Sequence, residues 1–502
     1  MRKFILFSFF GLLTGLAACS DNNNENIFVQ DSTLSGLTVT SISMDNQGGT
    51  ENFSVTCGVM PTASSDEEWI IVNRISSSNK VHTFSVTASE NTVPEVRTGY
   101  VKVTAGKNSE TITVTQAAGT NEKEEEPTEG EPTEGETQPS LGIKALDISK
   151  AIKAGWNIGN TLEVPGGETL WGNPKVNSAY VAGIKAAGFN AVRIPCAWDS
   201  YIIDKSNHTI DPGWLDRVNE VVGYVLDQDM YAILNIHWDG GWLENNIGTS
   251  ATEELLTKQN ALWTQIAERL GHYNEKLLFA GLNEPNAGNE WGSSSDNKKA
   301  MEALLEYEQT FVDAVRSTGG NNATRTLVVQ APHTSINMAE KYMNELPKDP
   351  SGEGYMMVEV HYYDPSDYTI MEKDGAWSDY VKYFWGSDYH QGGNRDCTWG
   401  EESSMESQLK KMQKKFVNEG IPVVIGEYGA YPEEHLKLVN VTFSDDEMDI
   451  IRASRAHWYK SFTKYVNEAG LLPFVWDTGE LINRNTGEVS PGKQYIIDAL
   501  IN

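Results

Sequence analysis

Near the start of the chain, hydrophobic and polar residues alternate in short runs: TVTSISM (38–44), FSVTC (53–57), HTFSVTA (82–88), GYVKVTA (99–105) and ETITVTQ (110–116), separated by clusters of Gly, Asn and Ser. Period-two alternation gives a strand one dry and one wet face, so residues 33–118 are predicted to form a small all-β, immunoglobulin-like sandwich. After residue 141 the pattern changes to continuous apolar runs alternating with stretches of helical period. The runs are AGWNIGN (154–160), FNAVRIP (189–195), YAILNIH (231–237), LLFAGLNE (277–284), TLVVQ (326–330), MMVEVHYY (356–363), PVVIGEYG (422–429) and LPFVWD (472–477). Helices are expected at 177–187, 212–228, 252–271, 298–317, 404–418 and 447–469. Strands that are apolar throughout belong to a parallel sheet covered by helices. Eight such repeats predict an α/β domain, a (β/α)8 TIM barrel over 141–502. An open doubly wound sheet is the alternative, but no Gly-rich phosphate loop follows the first strand.

Residues 119–140 follow neither pattern. The sequence PTEGEPTEGE and eight Glu between Glu122 and Glu136 describe an acidic, self-repelling spacer that cannot build a core. At the N-terminus, Arg2 and Lys3 precede an apolar run from Phe4 to Leu16. That run is shorter than the roughly 20 residues of a spanning helix, and 1–18 reads as a secretory signal peptide. Its end, Leu16-Ala17-Ala18-Cys19, resembles a bacterial lipobox, with Cys19 as the lipidated residue and 19–32 as a tether. The expectation is a lipid-anchored protein of the bacterial outer membrane facing the cell surface, with the lipid as its membrane anchor.

Charge narrows the function. Thirty-nine Lys and Arg stand against 70 Asp and Glu, a formal charge of −31, which argues against nucleic acid and against anionic lipid headgroups as partners. Cys19, Cys57, Cys196 and Cys397 follow no repeating spacing, so neither a disulfide framework nor a zinc ribbon is expected, and the last three read as buried thiols. The sequence holds no HExxH pair or Cys/His ligand set, which argues against metal hydrolysis, and no GxSxG elbow, which argues against an esterase. No metal, no cofactor and a monomer are expected.

In a barrel of this type the chemistry lies at the C-terminal strand ends. Read in order, those ends carry Arg193, His237, Asn283 with Glu284, His361 with Tyr363, Glu427 and Trp476. Two carboxyls, ending the fourth and seventh strands among rings and hydrogen-bond donors, suit glycoside hydrolysis: one protonates the departing oxygen while the other attacks the anomeric carbon or activates water. Trp171, Trp198, Trp238, Trp242, Trp291, Trp377, Trp385 and Trp399 follow strand ends and suit sugar faces along a cleft. Trp171, Trp238 and Trp242 are the substrate candidates among them, and 364–403 is expected to be cleft wall.

The motifs GWNIGNTLE (155–163), WGNP (171–174), VRIP, NIHWDGGWL (235–243), LNEP (282–285), HYYDP (361–365), VIGEYG and FVWD together resemble glycoside hydrolase family 5, notably its subfamily 4 of endo-glucanases. EEW (67–69), the Arg97-Thr-Gly-Tyr-Val segment and TVTQ resemble a BACON module. The resemblance implies Glu284 as general acid/base and Glu427 as nucleophile. Arg193 and Tyr363 would support the nucleophile, Asn283 the sugar 2-OH, His237 and His361 would bracket the sugar, and Trp476 would be its stacking floor. It implies a retaining endo-β-1,4-glucanase with a β-glucan partner, xyloglucan by similarity to surface xyloglucan endo-glucanases. A cellulase or mixed-linkage glucanase is the alternative enzyme, and a surface glycan-binding protein the alternative of another class. Glu284 is expected to have a raised pKa, and the sandwich to be a spacer with Trp69 in its core and no exposed aromatic platform.

Overall fold

The computed structural model describes residues 33–119 and 142–501, apart from 47, 60, 66, 68, 79, 90, 106 and 432–440. The signal segment, Cys19, the tether and all but the first residue of the acidic spacer lie outside them. Contacts divide the chain into two units, one ending at Gly135 and the other starting at Glu136.

The first unit is a two-sheet sandwich. Ser41–Met44, Asn108–Gln116, Arg97–Ala105 and Thr62–Ser64 form one sheet in that order; Gly49–Thr56, Val81–Ala88 and Ile70–Ser78 form the other. Alternation works as expected: Val101, Val103, Ile112 and Val114 from one sheet and Phe53, Val55, Phe84 and Val86 from the other are buried. Phe53 and Phe84 stack at 5.2 Å between ring centroids. The strands at 62–64 and 70–78 have no counterpart among the alternating runs. The second of these is an edge strand whose register slips between residues 74 and 76, which spoils the period. Trp69 is only half-buried, with the Arg97 guanidinium 4.3 Å from its ring centre. Tyr100 is exposed, so the sandwich does carry a solvent-facing aromatic ring.

The second unit is a closed parallel barrel. Its strands, in chain order, are Gly155–Ile158, Ala191–Ile194, Tyr231–Asn235, Leu277–Ala280, Leu327–Gln330, Met356–Tyr362, Val423–Tyr428 and Leu472–Asp477, and each pairs with its sequence neighbours, the eighth with the first. All eight lie within the predicted runs. Side chains alternate across each strand. Val192, Leu234, Phe279, Val329, Val358, Ile425 and Val475 pack outward in a cluster with the surrounding helices. Ala191, Ile233, Leu278, Val328, Met357, Val424, Leu472 and Phe474 form a separate cluster inside, closed at the N-terminal end by Ile148 and Ile152 of the segment that opens with helix Ala145–Ala151.

Helix ends follow local chemistry. In Asp445–Ala469 the Ser444 hydroxyl accepts from the Glu447 N–H while Glu447 accepts from the Ser444 N–H, and Gly470 at φ 70° closes the other end. Pro212–Leu226 begins with Asp211 as its cap and Pro212 in the first turn, where no N–H is needed. Among the described residues no helix is long and apolar enough to cross a membrane.

Candidate active site

Two residues beyond the apolar plug, the inward positions turn polar. Asn157, Arg193, Asn235, Gln330 and Glu359 follow Gly155, Ala191, Ile233, Val328 and Met357 on the same face of their strands. Arg193 is the hub and is fully buried. Its Nη1 donates to Glu427 Oε1 at 3.0 Å and to Asn157 Oδ1 at 3.1 Å, and its Nη2 donates to Asn283 Oδ1 at 2.8 Å. Its Nε lies 2.9 Å from Glu359 Oε1. Tyr363 donates its hydroxyl to Glu427 Oε2 at 3.1 Å. The second strand thus supplies a fixed cation to a carboxylate on the seventh, and the sixth supplies a phenol.

Strand seven reaches this position through an irregularity. Val360 pairs with Ile425 and His361 pairs with Glu427, so Gly426 is an extra residue that turns Glu427 toward the mouth. A Cβ at Gly426 would stand 1.8 Å from Glu359 Oε1, so the Gly of the GEYG motif makes room for the buried carboxylate.

His361 ties the carboxyls together. Its Nδ1 lies 2.8 Å from Glu284 Oε1 and 3.8 Å from Glu427 Oε2, and its Nε2 lies 3.2 Å from Glu359 Oε1. Burial opposes charge on the ring, but the carboxylates of Glu427, Glu284 and Glu359 outweigh it and raise the pKa to about 10. An imidazolium therefore donates to Glu284 and Glu359 at neutral pH. Burial pushes Glu284 upward, yet the His361 bond and charge, with Arg193, prevail and hold it below the usual carboxylate range. Glu427, which unlike the half-exposed Glu284 is buried, is raised: the fields of Glu284 and Glu359 add to desolvation against His361 and Arg193. This reverses the sequence expectation of a raised Glu284. The reason is the His361 contact, made across 77 positions of sequence.

Several residues of the site were not singled out from the sequence. Glu359 accepts from Gln330 Nε2 at 2.7 Å, and the Gln330 N–H donates to Glu308 at 2.8 Å, so a buried chain of polar groups stands behind Arg193. Glu244, from the loop after strand three, accepts the Glu284 N–H at 3.0 Å, and burial pushes its own carboxyl up to about 8. A signal existed for Glu359, Asn235 and Asn157: a polar residue within an apolar strand, Glu359 and Asn235 each two places before a predicted site residue.

His237 and Trp476 meet face to face, 5.7 Å between centroids and 11° from parallel. Burial, together with the charges of Arg193 and His361, holds His237 well below the usual histidine range, so its ring is neutral. Asn283 is buried between Arg193 and Glu244. Of the loop tryptophans, Trp171, Trp238, Trp291, Trp377 and Trp399 are exposed, whereas Trp198 and Trp385 are fully buried and belong to the core. Trp242 is half-buried, donates to Asp239 at 3.0 Å and carries the Lys258 ammonium 4.1 Å from its ring centre, so one face is already occupied.

Glu284, His361 and Glu427 each offer one atom, all within 4.8 Å of one another. Among the described residues this is the grouping with the reach to hold a metal ion. Both nitrogens of His361, however, are engaged with carboxylates, and its charge suits proton exchange rather than ligation. Cys57, Cys196 and Cys397 are buried away from any such role.

A parallel eight-stranded barrel with this carboxyl pair at its mouth defines a glycoside hydrolase. The profile for cellulase (glycosyl hydrolase family 5) matches residues 156–480, and that for the N-terminal binding domain BACON matches 61–117. The chain belongs to glycosyl hydrolase family 5. It is 35% identical over 360 residues to the xyloglucan-specific endo-beta-1,4-glucanase BoGH5A of Bacteroides ovatus, covering 69% of this chain and 68% of that protein. It is 33% identical over 384 residues to endoglucanase A of Paenibacillus barcinonensis, covering 72% and 90%. Among solved structures, a Bacteroides ovatus GH5 xyloglucanase in complex with a XXXG heptasaccharide superposes with a TM-score of 0.63 at 29% identity, covering 93% of this chain and 100% of that one. A GH5-4 broad specificity endoglucanase from Clostridium acetobutylicum does so with a TM-score of 0.58 at 29% identity, covering 72% and 100%.

Proposed function

We propose that this protein is a retaining endo-β-1,4-glucanase that cleaves the glucan backbone of xyloglucan. The observation that carries the mechanism is the short span between the two carboxyls. Oxygens of Glu284 and Glu427 lie within 4.8 Å, whereas an inverting enzyme needs roughly 6.5 to 9.5 Å to seat a water. Glu427 attacks the anomeric carbon as the bond to the departing chain breaks, and Glu284 gives that chain's oxygen a proton. Glu284 then takes a proton from water, and the resulting hydroxide displaces Glu427 from the sugar. Arg193 and Tyr363 hold Glu427 in line, and Asn283 is placed to bind the 2-OH beside it. Trp476 is the floor for that sugar, with His237 beneath it.

The proton for Glu284 stands one hydrogen bond away on His361 Nδ1. Moving it along that bond changes no proton count. A sugar seated on the pair removes water from the half-exposed Glu284 carboxyl and favours its neutral form. The likeness to Bacteroides ovatus xyloglucanase in sequence and in structure supports xyloglucan as substrate, as do exposed tryptophans on several loops, which suit an open groove that admits a branched chain. Lipidation at Cys19 with display at the cell surface, and a spacer role for the sandwich, belong to the same proposal.

NMR of the first-formed reducing end tests the chemistry: retention of β configuration is expected, and an α product would overturn it. For the substrate, kcat/KM on xyloglucan is expected to exceed that on carboxymethylcellulose and mixed-linkage β-glucan by at least about tenfold, or about 1.4 kcal/mol in transition-state binding. Equal values would make the enzyme a general glucanase.

A further inference from the structure

Neither chemical step described above uses Glu359, yet it is the third carboxyl of the site. It is fully buried in the middle of strand six, and Gly426 on strand seven leaves out a side chain to admit it. An ion taken out of water is costly unless matched, and a barrel closed by apolar layers has no need of one there. Three donors converge on it. Arg193 Nε lies 2.9 Å from Oε1 and His361 Nε2 lies 3.2 Å from the same atom, while Gln330 Nε2 donates to Oε2 at 2.7 Å. Gln330 cannot turn its amide over, because its Oε1 accepts the Leu282 N–H at 2.8 Å. An ionised carboxylate satisfies all three donors, whereas a protonated acid would set its own hydrogen against one of them.

The consequence falls on His361. With its Nε2–H bonded to an anion the ring keeps that hydrogen, and the proton it can trade is the one on Nδ1, 2.8 Å from Glu284 Oε1. Whether Nδ1 holds that proton depends on the charges around it. Burial opposes it; Glu427 on strand seven, Glu284 after strand four and Glu359 favour it. The other titratable groups facing the cluster add little charge. His237 after strand three is held neutral, Tyr363 after strand six keeps its phenol proton, and burial pushes Glu244 up to about 8. Glu308 on helix Ser294–Ser317 bears on Glu359, but burial pushes its carboxyl well above the usual range and it stands neutral. His333 after strand five acts on Glu284, and Arg193 on strand two acts on all three carboxyls.

The three carboxylates differ in what the reaction does to them. Glu427 loses its charge when it bonds to the sugar, and Glu284 loses its charge on receiving the proton. Glu359 keeps its charge throughout. Transfer from Nδ1 to Glu284 leaves a neutral ring with Nε2–H still on Glu359, and the proton returns to Nδ1 after Glu284 takes one from water. We infer that Glu359 is a positioning residue for acid catalysis, whose constant charge keeps the proton destined for the departing chain on His361 Nδ1, in contact with Glu284. The inference rests on the glucanase reading above.

The test compares full-length wild type with Glu359→Gln on two substrates: cellohexaose, whose departing sugar needs a proton, and 2,4-dinitrophenyl β-cellobioside, whose phenolate departs without one. The amide keeps an acceptor for Arg193 and His361 and removes the charge. Loss of an adjacent anion lowers the pKa of an imidazolium, so the basic limb of kcat/KM on cellohexaose is expected to move down by at least about one pH unit. Above the variant's limb, the loss on cellohexaose should exceed that on the dinitrophenyl substrate at least about fivefold. The double variant Glu359→Gln, Gln330→Glu reverses the bond between these side chains and keeps the buried charge, one residue further from His361. It decides the matter where the single variant does not fold, and its basic limb should also lie below that of wild type. A basic limb within about 0.3 unit of wild type, or equal losses on both substrates, would overturn the inference while leaving the glucanase reading in place. Wild-type protein inert toward cellohexaose, xyloglucan and the dinitrophenyl substrate would overturn the reading itself and the role of Glu359 with it.

Discussion

Inside the barrel, Ala191, Ile233, Leu278, Val424 and Phe474 fill the N-terminal half, and one inward position further on Arg193, Asn235, Glu359 and Glu427 with its partners fill the other. The same strands and the same alternation build both halves. Below, each large apolar side chain contributes about 1.5–3 kcal/mol by leaving water. Above, buried charges are matched one against another, an arrangement that adds little net stability because desolvation offsets attraction. The lower half holds the ring closed, and its rigidity lets the upper half keep charges in a geometry they would not choose alone.

The sharpest separation comes from Glu427→Gln. Turnover on β-glucan is expected to fall at least about 10⁴-fold, since the group acts only in the transition state, with little change in denaturation midpoint because Arg193 keeps Glu359. A loss below tenfold would break the assignment. Phe474→Ala is the converse case: loss of about 3–5 kcal/mol in chemical denaturation, with kcat per folded molecule nearly intact. Gly426→Ala lies on the border between the halves. The new methyl must displace Glu359, so both readouts should move, stability by about 1–3 kcal/mol and kcat/KM by about tenfold or more. If only stability changed, Glu359 would have no part in setting Arg193.

The smallest effect concerns pH. Glu244 is raised to about 8 in the folded protein, whereas an unfolded Glu titrates near 4.3. Between those values the folded state binds more protons than the unfolded, so this group makes stability fall as pH rises. Glu244→Gln retains an acceptor for the Glu284 N–H and removes that titration. Its Tm should decline less steeply than wild type from about pH 4.5 to 8, and parallel Tm curves would show that Glu244 is not held neutral.

The barrel was legible because each strand is an apolar run bounded by helical period, a signal local in sequence. Glu284 and Glu427 were legible because strand ends face the site in any such barrel. The sandwich strands at 62–64 and 70–78 were not, since one is very short and the other slips register at an edge. Glu359, Asn235 and Asn157 stand out as polar residues within apolar runs, but the runs do not say where they point. Whether such a residue points to the helices or to the centre depends on closure of the ring, which no single strand encodes. The protonation of Glu284 was likewise out of reach: its direction is decided by a histidine distant in sequence, by Arg193 from another strand and by the dryness of the mouth. Sequence period determines which segments become strands and which residue types can reach the mouth. Charge state and hydrogen-bond partner are sums over neighbours brought together from many strands, so only the folded barrel decides them.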